Sequence, residues 1–193
     1  MKLTGLYGIA DSGFGSVESQ VTQLLLGGVC AVQLRCKTAT ATEIEALCQS
    51  LWPHCQSAGI PLILNDHFLP QCSDGVHLGQ SDGDLNEKSR PDGFLFGRST
   101  HNLAQVRAAI RERVDYVGFG PVFPTSTKHT VVPSLGLKAL REATGLGIPL
   151  VAIGGIQLAS LPALQSHGCT AWTAISAIWD SVDPDETIRA FNP

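Results

Sequence analysis

Val29-Cys30-Ala31-Val32-Gln33-Leu34-Arg35, running on into Cys36-Lys37, is an apolar run of strand length with polar residues at every second position near its end. Side chains two apart on a strand point the same way, so Gln33, Arg35 and Lys37 share one face and Val32, Leu34 and Cys36 the other. On a one-sided antiparallel sheet such a face is simply wet. Here helical periodicity precedes the run (Val17, Val21, Leu24) and follows it (Ile44, Leu47, Leu51, Cys55, Ala58). A strand set between helices reads as part of a parallel sheet covered on both sides. An amide and two cations on an inward face are costly unless an anion or water meets them. The run therefore predicts a parallel βα fold with an anionic ligand at the C-terminal end of this strand.

The same alternation recurs in both directions. Strands are expected at 3–10, 29–35, 61–65, 75–79, 94–99, 116–122, 149–153 and 170–175, with helical patterns between most of them. Thr42 with Glu45 three residues later reads as a capping box. Further helices are marked by Leu103, Val106 and Ile110, by Leu137 and Leu140, by Leu158, Leu161 and Leu164, and by Pro184 near the end. Eight βα units in one series point to an α/β fold of the (β/α)8 TIM-barrel type, one domain over 1–193. A doubly wound sheet usually has fewer strands, and no G-x-G-x-x-G follows the first strand to mark a dinucleotide site. The barrel is compact, with shortened helices expected after strands 3 and 4, because 67–73 and 84–91 are brief and each carries a proline.

The 193 residues are 44% hydrophobic and 16% charged, with a net charge of −4. That is enough chain for a sizeable core. No basic tract recommends nucleic acid as a partner, and no apolar run approaches the ~18 residues that would suggest a membrane span. Met1 to Tyr7 leads straight into a strand rather than a signal peptide, so a cytoplasmic location is expected. The six cysteines form no C-x-x-C pair and read as reduced packing residues.

In such barrels the active site lies at the C-terminal ends of the strands, and polar residues collect there in every unit. They are Asp11; Gln33, Arg35 and Lys37; Asn65 and Asp66; Gln80 to Asp82; Ser99 to His101; 124–128; Gly154 and Gly155; and Ser176. Asp66 and Asp82 come from adjacent units and are the oxygen donors that Mg2+ shares with water and phosphates; either alone also suits a turn or a helix cap. Arg35, Lys37 and Lys128 add positive charge. At ~4 Å and an effective dielectric near 20, each cation–anion pair gains on the order of 4 kcal/mol before desolvation, so several together hold a diphosphate. Gly154-Gly155-Ile156 and Ile175-Ser176-Ala177 follow strands 7 and 8, where barrels often bind a phosphate; Gly-Gly is equally an ordinary turn. His77 reads as a hydrogen-bonded core residue, His101 as local, and His54 and His167 as surface positions. His129 lies beside Lys128 in the loop over 124–134. None of these is the expected catalytic base.

The pieces Gln33-x-Arg35-x-Lys37, Asn65-Asp66, Asp74-Gly75-Val76-His77-Leu78-Gly79-Gln80-x-Asp82, Ser99-Thr100-His101, Gly118-x-Gly120-Pro121-Val122-Phe123-x-Thr125-x-Thr127-Lys128 and Ala152-Ile153-Gly154-Gly155-Ile156 together resemble the thiamine phosphate synthase family, in order and across essentially the whole chain. The resemblance implies a transferase that joins hydroxymethylpyrimidine diphosphate to a thiazole phosphate with Mg2+, releasing diphosphate. It implies that Gln33 meets the pyrimidine and that Arg35, Lys37, Asn65, Ser99 and Lys128 hold the diphosphate. Asp66 and Asp82 would bind the metal; Thr125, Thr127, Gly155, Ile175 and Ser176 would bind the thiazole phosphate. Arg35, Lys37, Ser99 and Lys128 are the residues expected to act on the leaving group. The family's reaction is dissociative, so it needs leaving-group stabilisation rather than a strong base. It must also exclude water, and the 124–134 loop is expected to act as a lid.

The chain departs from that family at three places: a short segment between Asp66 and Asp74, Cys36 where relatives are usually acidic, and His67 where arginine is common. The related thiazole tautomerase branch shares the barrel, but it carries a histidine acid/base where this chain has Pro121 and tends to lack the full Gln33-x-Arg35-x-Lys37 set. A non-catalytic thiamine-phosphate binding protein on the same barrel is the alternative of another class. A homodimer is plausible because a missing third helix would expose apolar strand surface.

Overall fold

The computed structural model describes residues 3–83, 90–125 and 133–192. Eight strands pair in parallel and in chain order: β1 (Gly5–Asp11), β2 (Ala31–Arg35), β3 (Leu62–Asn65), β4 (Gly75–Leu78), β5 (Leu95–Thr100), β6 (Tyr116–Phe119), β7 (Leu150–Ile153) and β8 (Ala171–Thr173). β8 returns to β1 through Gly5↔Ala171 and Leu6↔Trp172, which closes the barrel. Around it run α1 (Val17–Leu26), α2 (Ala41–Ala58), α3 (Leu103–Arg111), α4 (Gly136–Thr144), α5 (Leu161–Ser166), α6 (Ser176–Trp179) and α7 (Pro184–Phe191). Among the described residues no helix is long and apolar enough to cross a membrane.

Period-two alternation sorts each strand into two cores. Outward residues such as Leu6, Val32, Leu34, Leu62, Leu64, Val76 and Trp172 pack under the helices, joined by Val21, Leu24, Ile44 and Cys48 from α1 and α2. Inward residues (Tyr7, Ile9, Ala31, Ile63, Tyr116, Val151 and Ala171) fill the barrel interior. This is the two-sided burial that the Val29–Arg35 pattern requires: Gln33 is buried on the inner face while Val32 and Leu34 are buried on the outer one. Gly97 makes room inside. A Cβ there would lie 2.3 Å from Tyr116 Cζ, so the absence of a side chain is what admits the tyrosine ring.

Several local readings are corrected. The capping box that opens α2 uses Thr40 and Glu43: Thr40 Oγ1 accepts from Glu43 N, and Glu43 Oε2 from Thr40 N at 2.7 Å. Thr42 lies inside the helix. Both pairs have the required spacing, and the helix starts at the first that can close. β6 ends at Phe119 rather than at 122, because Pro121 has no N–H to continue the ladder. Val122 N and Phe123 N turn instead to Ile153 O and Gly154 O, at 2.8 and 3.0 Å. β8 stops at Thr173, and Ile175 and Ser176 start the one-turn α6. Ile110, read on one face with Leu103 and Val106, is exposed, and Leu158, read in one helix with Leu161 and Leu164, is exposed in a short 3-10 turn before α5.

No helix follows β3. Residues 66–74 form turns that do a helix's packing without its hydrogen bonds. Phe68 sits edge-on to Phe94 and Phe96, with centroids 5.1 and 6.2 Å away, and Cys72 is buried beside Cys48, whose thiol donates to Cys72 O. Asp74 then pins the base of β3 by accepting from Leu62 N, Trp52 Nε1 and Gln56 Nε2. The apolar strand surface expected to invite a partner subunit is therefore covered from within, and Leu62 and Leu64 are fully buried. The brief segment after β4 includes 84–89, which lie outside the described residues, as do 126–132 of the proposed lid.

Candidate active site

The C-terminal ends of β1 to β5 bring the first group of expected residues together. Register places Asp11 beside Arg35, and the two carry a part-buried ion pair through Arg35 Nη1 and Asp11 Oδ2. Asp11 Oδ1 also accepts from Gly13 N at 2.9 Å, and Gln20 brackets the Asp11 backbone from α1, accepting from its N–H and donating to its carbonyl. The arginine is thus held by a partner that the sequence reading had noted only as a strand end.

From Gln33 a relay of hydrogen bonds runs along the rim. Gln33 Nε2 donates to Asn65 Oδ1 at 3.2 Å, and Asn65 Nδ2 donates to Asp66 Oδ2 at 2.5 Å. The Asp66 carboxyl is electrostatically coupled in turn to that of Asp82. Asp82 Oδ2 also accepts from Gly79 N at 2.7 Å. Asp66 has φ 65°, a left-handed conformation that costs a non-glycine residue of order 1 kcal/mol, although aspartate tolerates it better than most. Its N–H donates to His77 O at 2.9 Å, which helps hold that geometry.

Of two interacting carboxyl groups, the second ionises only at a higher pH than the first. Partial desolvation, the hydrogen bond to Asp82 and its negative charge push Asp66 up to about 6, against the pull of Lys37 and Arg35. For Asp82, desolvation also acts upward, but hydrogen bonds from Asp66, Gly79 N and Ser81 and the positive charge of Arg98 outweigh it and leave its pKa lowered. Among the described residues no three His, Cys, Asp or Glu side chains converge. Two carboxylates at an open rim suit Mg2+, which keeps water and substrate oxygens in its shell, and not a structural zinc site with four protein ligands. The donor set fits Mg2+.

Arg98 was missed as a site residue, and strand parity would have found it: Ser99 faces in, so Arg98 faces out under α3. It is buried and donates to Gly79 O at 2.7 Å, Gly83 O at 3.0 Å and Glu112 Oε2 at 3.1 Å, strapping down the loop that carries Asp82. Ser99 Oγ lies 2.9 Å from His77 Nε2, and Gln80 Nε2 donates to Ser99 O at 2.6 Å. Lys37 stands exposed just past β2.

The ends of β5 to β8 surround a second feature, a cavity of about 240 Å3 lined by Ser99, Thr125, Gly155, Ile175 and Ser176 among others. Gly154 and Gly155 have φ 95° and 63°; a Cβ on Gly155 would lie 2.3 Å from Pro124 O, so only glycine fits this turn. His101 Nδ1 is 2.6 Å from Gly120 O and keeps the local role read for it. Thr127 and Lys128, expected at this site, and His129 beside them lie outside the described residues.

Comparison with known proteins puts names beside this geometry. Residues 6–178 match a family model described as Thiamine monophosphate synthase. A thiamine-phosphate synthase of Chlorobium luteolum is 38% identical over 176 residues, spanning 88% of this chain and 83% of that one. One of Methanocella arvoryzae is 35% identical over 193 residues, spanning 95% and 91%. Among solved structures, a thiamine phosphate pyrophosphorylase from Pyrococcus furiosus superposes with a TM-score of 0.88 at 27% identity, covering 97% of this chain and 93% of that one.

Proposed function

This chain belongs to the thiamine monophosphate synthase family, and from that premise we propose how its rim forms thiamine phosphate from a pyrimidine diphosphate and a thiazole phosphate. It is a transferase of thiamine synthesis, and its substrates are small molecules. The observation that carries the reading is the hydrogen-bonded line Gln33–Asn65–Asp66, whose last carboxyl feels the charges of Asp82, Lys37 and Arg35. Asp66 and Asp82 would hold Mg2+, which would supply positive charge to stabilise the departing diphosphate.

The remaining work falls to the side chains. Asp11 fixes the Arg35 guanidinium through Nη1, and the other N–H groups of the fork serve the diphosphate. Lys37 and Lys128 add charge, and Asn65 and Ser99 add neutral donors. Gln33 orients the pyrimidine. Gly155, Ile175, Ser176, Thr125 and Thr127 hold the thiazole phosphate, with the Gly154-Gly155 turn offering backbone N–H groups at close range. Departure of diphosphate before capture leaves a cation that water would quench. Pro121, Ile153, Ile156 and Ala174 supply dry walls where the thiazole must approach. Proton transfer of the tautomerase kind is disfavoured by Pro121, which has no proton to move. The six free thiols suit a reducing compartment such as the cytoplasm.

Titration of the carboxylate pair gives the test. Asp66 has its folded pKa raised to about 6 from 3.8. Its contribution to stability is therefore present below the unfolded value and is lost as pH rises through 6. Above pH 6 both carboxylates are ionised, repel one another and are ready for a cation; below it a proton competes with the metal. Mg2+ with inorganic diphosphate is expected to raise the melting temperature clearly at pH 8 and little at pH 5. An equal rise at both pH values would remove the pair from the metal site.

A further inference from the structure

Inside the barrel four polar side chains form an unbroken line. Tyr7 and Tyr116 have hydroxyls 2.7 Å apart, Tyr116 Oη lies 3.1 Å from His77 Nδ1, and His77 Nε2 reaches Ser99 Oγ at 2.9 Å. Both tyrosines and His77 are buried, whereas Ser99 is partly exposed and lines the cavity between β5 and β8. Two glycines clear the way for the imidazole. A Cβ on Gly97 would lie 2.6 Å from His77 Nδ1, and one on Gly118 would lie 3.3 Å from its Cε1.

Counting protons fixes the direction in which this line donates. Among the described residues the two phenol hydroxyls bond only to one another and to His77. Burial raises the pKa of both, so each keeps its proton. Two contacts join Tyr7 Oη, Tyr116 Oη and His77 Nδ1, each contact holds one proton, and the phenols supply both. A third proton, on Nδ1, would leave one buried O–H or N–H without an acceptor. The imidazole escapes that loss by accepting at Nδ1 and carrying its proton on Nε2. Nε2–H then donates to Ser99 Oγ, and the serine's own O–H remains for an acceptor outside the line.

We propose that Tyr116 and His77 are positioning residues that make Ser99 a hydrogen-bond donor towards the leaving diphosphate. The inference deepens the functional reading above and rests on it. With the opposite polarity Ser99 would donate to Nε2 and turn only lone pairs towards an anion. With this one its O–H meets a charged oxygen, the stronger kind of hydrogen bond. Tyr7 completes the line without setting its direction. In its absence Tyr116 still has one proton to give, and Nδ1 still receives it.

The test joins 15N NMR of the histidine ring nitrogens in the substrate-free protein to steady-state kinetics. His77 should carry its proton on Nε2 alone in the unaltered protein and in Tyr7→Phe. Tyr116→Phe takes the donor away from Nδ1 and should show the Nδ1–H form as well. Tyr116→Phe should also lower kcat/KM for the pyrimidine diphosphate about fivefold and move KM for the thiazole phosphate by less than about twofold. In a Ser99→Ala background the same substitution should cost less than about twofold, because it acts through that hydroxyl. Tyr7→Phe loses a hydroxyl from the same buried line, yet should stay within about twofold of the unaltered protein. A proton on Nδ1 in the unaltered protein overturns the inference, as does the same single tautomer in Tyr116→Phe. So do unchanged kcat/KM in Tyr116→Phe, an equal loss in Tyr7→Phe (the mark of a packing role), and a loss that persists undiminished beside Ser99→Ala. These results leave the functional reading intact. If the unaltered protein forms no thiamine phosphate, that reading fails and the role towards diphosphate goes with it, whereas the tautomer is read independently.

Discussion

Asp82→Ala lowers kcat for thiamine phosphate formation by about 100-fold or more, with the fold left standing. Asp82 sits on an exposed loop, and its carboxylate touches Asp66, Gly79 N and Ser81 rather than the core. The loop itself is strapped by Arg98 through Gly79 O and Gly83 O, and those bonds do not involve the Asp82 side chain. Removing the carboxylate loses the bond from Gly79 N but also removes a like charge from Asp66, so substrate-free stability at pH 8 should fall only slightly. The loss falls on the transition state, where charge builds on the leaving diphosphate and one of two oxygen ligands is missing. KM for the thiazole phosphate should move little, because Gly155, Ser176 and Thr125 belong to other strands. Steady-state kinetics across a Mg2+ series measures this, and turnover with unchanged Mg2+ dependence would contradict the metal assignment.

Arg35→Met has the second largest expected effect, and it acts on stability and activity together. Asp11 is 5% exposed, so loss of its partner leaves a buried carboxylate without a counter-charge. Breaking such a pair costs about 3 kcal/mol, the lower end of the range because Arg35 itself is partly exposed. The same substitution takes a cation from the diphosphate, and kcat/KM for the pyrimidine diphosphate should fall at least tenfold. Adding Asp11→Asn separates the two roles. The double variant should regain most of the denaturant midpoint, since the uncompensated charge is gone, and none of the activity. A double variant that recovers activity would show that Arg35 serves only to neutralise Asp11.

The barrel was legible because its signal is local and repeated. Alternation along each strand and an apolar stripe along each helix need no knowledge of partners, and eight repeats leave little choice of topology. The rim was legible for the same reason: in a barrel, the end of every strand is a known place. Pairings across the barrel were not. Tyr7 and Tyr116 are 109 residues apart, and only closure of β1 on β8 brings their hydroxyls together. Asp11 and Arg35 meet through the β1–β2 register, which the spacing of either strand alone does not give. The segment after β3 read as a shortened helix because its neighbours are helical. Phe68, Cys72 and Asp74 instead satisfy core and backbone from a turn, a solution with no periodicity to read.

In the mechanism proposed above, the β1–β5 rim and the β5–β8 cavity together join two substrates by stabilising a leaving diphosphate. Incubating the purified protein with hydroxymethylpyrimidine diphosphate, thiazole phosphate and Mg2+, and measuring thiamine phosphate and released diphosphate in the same sample, tests it most directly. The two products should form in equal amounts, stop when a chelator is added, and resume when Mg2+ is restored in excess. Folded protein that forms neither product, or forms them undiminished with the chelator present, would contradict the account.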